Sequence, residues 1–387
     1  LATKEIGIIL NGATGRLAQH QHLRNALLPI LREGGIALSN SDRAVPRILL
    51  AGRDEQRLRA VSDSTGIPDW TTDIAGALAN SDYPVYFDVA STGGRAERLL
   101  SAIAAGKHVY TDKPLASTLD EATAVASATR AAGIKHGMVC DKIFLPGLLK
   151  LKGLVDGKFF GRILSIRIEF GWWIFDGETA PSQRQSWNYQ LARGGGIVLD
   201  MLPHWSYVLG HLFGRPVGLF CQTATHQPVR WDETGARYDV DVEDAASVLM
   251  ELDSGAKVQL LTSWATRVRR DDMMIIQVDG TKGSAVASLR DCWTQTLAET
   301  PTPIWPQLEI QRPRADHFSE WRSMPETDTP PASFRAGWEL YLRHIAEDAP
   351  FPFPLDEGVR AMQLIDCAYA SAREKRWVEV GGLVRAH

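Results

Sequence analysis

Cysteine is scarce in this chain: Cys140, Cys221, Cys292 and Cys367 are the only four in 387 residues, and no two form a CxxC pair. That excludes a small disulfide-stapled scaffold, a zinc ribbon and a thioredoxin-like motif, and it predicts a reducing compartment. An excess of one charge sign is also lacking. Lys plus Arg total 42 against 46 Asp plus Glu, a net −4, so no bulk electrostatic pull toward nucleic acid or anionic lipid exists. No window reaches the roughly eighteen unbroken apolar residues of a membrane span, and the apolar stretch Ile6–Leu10 has the length of a strand, not of a signal peptide. These absences predict a cytoplasmic protein with neither nucleic-acid nor membrane partners, acting on a small molecule. What is abundant is tryptophan, 12 residues against 8 tyrosines, and only Trp70 precedes residue 145.

The length exceeds one ordinary domain core, and the pattern changes near residue 141, so two domains are expected, 1–141 and 142–387. In the first, Ile6–Leu10, Arg47–Ala51, Val85–Val89, His108–Tyr110 and Lys135–Val139 read as strands. Arg16–Arg32, Asp54–Thr65, Arg95–Ala105 and Thr118–Ala132 carry apolar residues at helical spacing. Strand and helix in alternation imply an α/β fold with a doubly wound parallel sheet of Rossmann type.

Directly after the first strand stands Gly12-Ala13-Thr14-Gly15-Arg16-Leu17-Ala18. Small residues let the backbone approach a pyrophosphate, and the next helix offers its first N–H groups to the phosphates. The GxxGxxA spacing is one residue longer than GxGxxG; its place between strand and helix is what marks it as a dinucleotide turn. Gly12, Ala13, Thr14, Gly15, Arg16 and Leu17 are therefore candidate cofactor contacts, joined by Ser91 and Thr92 after the strand Val85–Val89. Past Ala51, Arg53 suits the 2′-phosphate of NADP, while Asp54 reads equally as a ligand for the ribose of NAD or as a helix N-cap. The expectation is NAD or NADP, with a lean to NADP. About forty residues separate the glycine turn from Arg53, roughly twice the customary spacing, and the excess, Glu33–Pro46, reads as a loop insertion near the adenine end.

Two later motifs carry a resemblance. Gly106-Lys-His-Val-Tyr-Thr-Asp-Lys-Pro-Leu-Ala116 is similar to the GKHV-x-x-EKP-L-A signature of the Gfo/Idh/MocA oxidoreductases, and Gly194-Gly-Gly-Ile-Val-Leu-Asp-Met-Leu-Pro-His204 to their GGG-x-x-x-D-x-x-x-H. With the glycine turn in order before them, the resemblance covers nearly the whole chain. It implies a Rossmann domain followed by an α+β domain with an open, mostly antiparallel sheet, and a homodimer or homotetramer formed through that sheet. The implied reaction is hydride transfer between the nicotinamide and a secondary hydroxyl of a sugar, sugar derivative or cyclitol. Lys113, Asp200 and His204 would be the catalytic set, with Asp112, Lys113 and Pro114 against the cofactor and a cis bond between Lys113 and Pro114.

The residues support that chemistry on their own terms. Asp200 and His204 lie one helical turn apart and share a face. A histidine near neutrality can take a hydroxyl proton, a lysine at the same oxygen favours the developing alkoxide, and the aspartate can orient the imidazole or hold a neighbouring hydroxyl. Carboxylate and imidazole at this spacing can also ligate zinc, but no third and fourth ligands accompany them, so no metal is expected. The chain departs from the family at Asp112, where Glu is common, which puts the reach of that carboxylate in question. It departs again at Asp141-Lys142-Ile143-Phe144, where the family often has an Asn-Arg-Arg-Phe-like stretch. Asp141 and Lys142 are thus candidate substrate contacts or, equally, a surface charge pair.

In the second domain Ile163–Phe170, Ala245–Leu252, Ala256–Trp264 and Met273–Val278 alternate as half-buried strands, and Phe334–Glu347 and Leu355–Lys375 read as helices. Trp172, Trp173, Phe175, Trp187 and Tyr189 cluster before the triple glycine; Trp173 or Trp187 is expected to stack on a sugar ring, with Asn188 and Arg193 near its hydroxyls. Pro301–Pro331 reads as an extended ordered loop, because Ile304, Trp305, Phe318 and Trp321 need burial. Two other functions fit the same motifs: a redox-neutral glycosidase that oxidises, eliminates and re-reduces, and a sugar-sensing regulator without catalysis. Retention of Lys113, Asp200 and His204 argues against the second.

Overall fold

The structure, a computed structural model, describes residues 2–270, 272–301, 317–325 and 332–381. Its first sheet contains β1 (Thr3–Asn11), β2 (Ile36–Ala37), β3 (Arg43–Ala51), β4 (Trp70–Thr71), β5 (Val85–Asp88), β6 (His108–Thr111) and β7 (His136–Met138). The order is β2-β3-β1-β5-β6-β7, with β4 also on β3, and every pairing is parallel except β2 with β3. Central β1 lies between β3 and β5, so the chain reverses its winding there and a crevice opens at the carboxyl ends of these strands. Ile6, Ile8, Ile9 and Leu10 are all buried, which explains their unbroken apolar run: helices cover both faces of such a sheet.

The stretch Arg16–Arg32 is helical as expected, but Ala18–Leu27 winds as a π-helix before α1 (Leu28–Arg32) resumes the tighter turn. His22 lies inside with Leu23, Ala26 and Leu27. Helices α2 (Glu55–Thr65), α3 (Ile74–Ala79), α4 (Arg95–Ala104) and α5 (Leu119–Ala132) connect the remaining strands.

Glu33–Pro46 corrects the sequence expectation. It is not a loop at the adenine end: β2 pairs with Arg43 and Ala44 at the start of β3, the end of the sheet opposite the glycine turn. The extra residues lengthen β3 backward so that it pairs with β1 along all of Thr3–Asn11.

Beyond α6 (Pro146–Asp156) the second sheet begins. It comprises β8 (Ile163–Gly171), β9 (Pro216–Ala224), β12 (Ala245–Leu252), β13 (Lys257–Ser263), β14 (Met274–Gly280), β15 (Gly283–Ala287), β16 (Cys292–Thr296), β17 (Arg322–Ser323) and β18 (Val378–Glu379); β10 (Val229–Trp231) and β11 (Arg237–Asp239) form a separate hairpin. The order is β17-β16-β15-β14-β8-β13-β12-β9-β18, antiparallel except for β8 with β13. Along β12 the alternation is plain: Val248, Met250 and Leu252 face the core, while Leu249 between them is 51% exposed. Helices α7 (Ile197–Leu212) and α9 (Leu355–Glu374) share the core with the buried face.

Helix α8 (Ser333–Glu347) returns to the first sheet. Trp338, Tyr341 and Leu342 are fully buried there with Ile8, Leu10, Phe87 and Tyr110, and the Tyr341 ring stacks on Tyr110 at 4.3 Å. Arg335 pairs with Glu33, and Glu347 accepts from Ser39 Oγ at 2.6 Å, so α8 also clamps the β2 segment. Within the proline-rich segment Ile304 and Trp305 lie outside the described residues. Trp321 is half-buried, but Phe318 is 88% exposed, against expectation, because it sits in the turn before edge strand β17.

Candidate active site

The glycine turn follows β1 at the crevice. Gly12 has φ +89°, and a Cβ there would lie 2.6 Å from the backbone N of Ala90, so the position admits only glycine. Gly12 and Ala13 donate their N–H groups to the Ala51 carbonyl, which ties the turn to the end of β3. Arg57 reaches across from α2 to the Thr14 carbonyl at 3.1 Å. Gly15 approaches the Gly12 carbonyl, Ala13 is buried, and Arg16 and Leu17 are exposed. A bare backbone beside exposed Arg16 and Arg53 fits the pyrophosphate and adenosine half of a dinucleotide. Asp54 is the N-cap of α2, accepting the Arg57 N–H at 3.0 Å. Ser91 is exposed and Thr92 half-buried just past β5, where the Thr92 carbonyl receives the Arg95 N–H.

Beneath this edge Asp88 is fully buried between Arg95 Nε at 3.1 Å and Arg98 Nε at 2.8 Å. Burial alone would raise its carboxyl; the two guanidinium groups and Asn11 hold it below the ordinary value. Arg95 continues to the carbonyls of Asp112 (2.9 Å) and Pro114, on either side of Lys113. The Lys113–Pro114 bond is cis, as expected. Asp112 is buried: Oδ1 accepts the Lys113 N–H at 2.7 Å and Oδ2 meets His22 Nε2 at 3.1 Å. The Trp338 indole donates to the other nitrogen of His22 at 3.1 Å. The shorter carboxylate therefore faces the protein's own histidine, and the support of Lys113 runs back to α8.

Helix α7 delivers the second half of the site. Gly196 has φ +110°, and a Cβ there would meet Glu243 Oε1 at 2.6 Å; that carboxylate accepts the Val198 N–H at 3.0 Å and starts the helix. One turn in, Asp200 sits between two cations. Oδ1 accepts from Lys113 Nζ at 2.7 Å and Oδ2 from Arg184 Nη2 at 2.7 Å, while Lys113 Nζ also reaches the Asp200 carbonyl at 2.9 Å. Burial would raise the Asp200 carboxyl, but Arg184 and Lys113 hold it well below the usual carboxylate range. Arg184 lies over the Trp264 ring at 4.3 Å and donates to Asn188 Oδ1 at 2.7 Å.

One turn further, His204 is buried with Nδ1 2.8 Å from the Tyr207 hydroxyl and 3.5 Å from Asp141 Oδ1. Burial first, then the cations Lys142, Lys113 and Arg184, hold the imidazole well below its ordinary pKa, so it is neutral at pH 7. The Tyr207 hydroxyl also donates to Asp141 Oδ1 at 3.2 Å and receives the Lys142 N–H at 3.1 Å. Asp141 is buried and 3.7 Å from Lys142 Nζ, which removes the surface-pair alternative.

These residues thus form two hydrogen-bonded groups on consecutive turns of α7: Lys113, Asp200 and Arg184 in one, and His204, Tyr207, Asp141 and Lys142 in the other. The cations of the first act on the imidazole by charge alone; Asp200 gives its oxygens to cations and does not orient His204. The aromatic expectations fare differently. One face of Trp173 is covered by Arg267 at 4.0 Å, and Trp187 is half-buried with its indole N–H on Gln185. Asn188 is held within its own loop by Arg184 and Gln185, and Arg193 is exposed. A cavity of about 680 Å³ runs from Arg16 to Arg184 along Glu178, Gln183, Ser186 and Glu233, and Lys113, Asp200 and His204 are not among its lining residues. Among the described residues no group of three or more His, Cys, Asp or Glu could hold a metal, and no helix is long and apolar enough to cross a membrane.

Residues 32–138 match a model described as an oxidoreductase family with an NAD-binding Rossmann fold, and residues 148–286 match the GFO/IDH/MocA C-terminal domain. The D-xylose dehydrogenase of Paenarthrobacter nicotinovorans is 40% identical over 383 residues, 98% of each chain. The D-xylose 1-dehydrogenase (NADP(+)) 2 of Haloferax volcanii is 26% identical over 331 residues, 86% of this chain and 91% of that one. A solved levoglucosan dehydrogenase in complex with NADH and levoglucosan shares the fold, with TM-score 0.81, 19% identity and coverage of 98% of this chain and 100% of the other.

Proposed function

The chain belongs to the Gfo/Idh/MocA oxidoreductase family, and on that premise we propose that it oxidises a ring hydroxyl of a free aldose of about the size of xylose, with Lys113, Asp200 and His204 as the reacting set. It is an NAD(P)-dependent dehydrogenase of sugars. The observation that carries the site assignment is the 2.7 Å contact between Lys113 of one domain and Asp200 of the other, one helical turn from His204.

Gly12, Ala13, Thr14, Gly15, Arg16 and Leu17 would hold the pyrophosphate, with Ser91, Thr92, Lys113 and Pro114 toward the nicotinamide. When bound, the oxidised nicotinamide accepts the hydride. Asp54 caps α2 with one oxygen, which leaves exposed Arg53 as the better adenosine ligand and supports NADP. Neutral His204 takes the hydroxyl proton, and the Lys113 ammonium favours the alkoxide that forms. Asp200, pinned by Arg184, fixes where that ammonium stands, and Lys142 and Asp141 border the same space. The relatives compared above are dehydrogenases by name, which favours net oxidation over redox-neutral glycoside cleavage.

On the expected division into 1–141 and 142–387, Lys113 comes from the first unit and Asp200 and His204 from the second, while α8 of the second packs in the core of the first sheet. The outward face of the second sheet, where Leu249 and Leu261 are 51% and 40% exposed, supports a homodimer or homotetramer. The test of the site is Lys113→Ala, assayed with a panel of aldoses and both cofactors. Turnover is expected to fall by about 10²–10³-fold, with cofactor dissociation constants nearly unchanged. A variant that oxidised sugar at the parent rate would remove Lys113 from the reaction.

A further inference from the structure

Tyr207 lies against the Nδ1 edge of the His204 imidazole, and no motif marks it. It lies three residues after His204 on α7, is buried, and its oxygen has three polar neighbours. The Lys142 N–H at 3.1 Å can only donate, Asp141 Oδ1 at 3.2 Å as a carboxylate can only accept, and His204 Nδ1 at 2.8 Å can do either. A phenol has one proton and two lone pairs, so two arrangements exist. In one, Tyr207 donates to Asp141 and accepts from both Lys142 N–H and His204 Nδ1–H; every polar atom is then satisfied. In the other, Tyr207 donates to His204 Nδ1, and Asp141 Oδ1 faces an oxygen lone pair with no proton between them. A buried carboxylate oxygen left that way is costly, so the first arrangement prevails.

We propose that Tyr207, anchored by Asp141, is a positioning residue that fixes His204 as the Nδ1–H tautomer and thereby presents a bare Nε2 to the substrate hydroxyl. The inference rests on the reading of His204 as the base. Nε2 has no hydrogen-bond partner among the described residues, yet it is not among the buried polar atoms without one, so this nitrogen keeps some accessible surface although the residue as a whole is buried. In the forward reaction the substrate C–H pair leaves as hydride to the oxidised nicotinamide, the O–H proton passes to Nε2, and a carbonyl remains. Nδ1 keeps its proton on the Tyr207 oxygen and Tyr207 keeps its own on Asp141. The imidazolium so formed has the Asp141 carboxylate 3.5 Å from Nδ1, while Lys142, Lys113 and Arg184 on the surrounding elements oppose its charge and press the proton onward. The unit acts as a carboxylate–histidine pair with a phenol interposed, and its value lies in the tautomer it enforces.

The test reads the tautomer directly. In uniformly ¹⁵N-labelled full-length protein at pH 7.5, the His204 imidazole nitrogens are assigned by their loss in His204→Asn. The expected spectrum has Nδ1 protonated and Nε2 bare; a protonated Nε2 in the parent overturns the proposal, with no variant needed. In Asp141→Leu the phenolic proton has no carboxylate to serve and turns to Nδ1, so the signals should exchange. Turnover should then fall by about 10²–10⁴-fold, with cofactor Kd within about threefold. Retention of the Nδ1–H signal in Asp141→Leu also overturns the proposal. Exchange of the signals at unchanged turnover would instead overturn the reading of His204 as the base, which separates the two failures.

Discussion

Replacing Arg184 by Leu would leave Asp200 with one cation where it now has two, and the consequence can be sized from the contacts. Arg184 makes one charge-assisted bond to Asp200 Oδ2 at 2.7 Å and one to Asn188 at 2.7 Å, and its guanidinium covers Trp264. The Arg184 and Asp200 side chains are 18% and 20% exposed, so water screens the pair only in part. A hydrogen bond to a charged group contributes about 1.5–3 kcal/mol. The loss stays below the roughly 3–5 kcal/mol of a fully broken buried pair, because Lys113 remains on Oδ1. We expect Arg184→Leu to destabilise by about 2–3 kcal/mol, and a cycle with Asp200→Asn to show a coupling energy of about 1.5–2 kcal/mol. Urea unfolding of the four proteins at pH 7 measures both. Additivity within about 0.5 kcal/mol would refute the reasoning. The coupling should also depend on pH with a definite sign. The native Asp200 carboxyl titrates below its unfolded value, so its contribution is full above about pH 4 and is lost as pH falls through the native value. Without Arg184 the native value rises, and the contribution shrinks.

Three further outcomes follow from the same geometry. His204 is held neutral, so below about pH 6.5 the unfolded chain binds a proton that the native one refuses, and stability should fall by up to roughly 1.4 kcal/mol per pH unit. Urea midpoints between pH 7.5 and 5.5 should fall less in His204→Asn than in the parent, and parallel curves would contradict a neutral buried imidazole. Arg53→Ala should weaken NADP by roughly 10–100-fold in a fluorescence titration while leaving NAD nearly unchanged; equal losses for both would end the argument for Arg53. Gly12→Ala, forced to φ +89° and against Ala90, should cost about 1–3 kcal/mol in thermal or urea unfolding and weaken both dinucleotides alike, and a variant as stable as the parent would contradict the close approach.

The parts legible in sequence are those whose determinants are close along the chain. The glycine turn, the alternating strands and helices, and the Asp200–His204 pair each depend on a period of two to four residues, and each lies where its period placed it. Arg184, Tyr207 and His22 went unread for the opposite reason. Arg184 comes from an irregular loop, Tyr207 looks like one more apolar position of a buried helix, and His22 reads as one polar residue in a polar stretch, although it lies four residues from buried Ala18 and Ala26. Short edge strands such as β17 and β18 are specified by pairing partners far away and leave no local signature. The Glu33–Pro46 excess was visible as length, but its direction, backward along β3, depends on contacts with α8 made some three hundred residues later.

That return of α8 governs the order in which the molecule can be completed. On the ribosome the seven strands of the first sheet are all made before residue 140, yet Phe87 and Tyr110 lack their Trp338 and Tyr341 cover until α8 emerges some two hundred residues later, on the order of ten seconds or more at ordinary synthesis rates. The nascent half-molecule therefore carries an uncovered aromatic patch through most of its own translation. One contact closed by α8, Trp338 on His22, also finishes the support of Lys113, so a chain cut short before α8 would have every catalytic residue and lack the frame that aims the first of them.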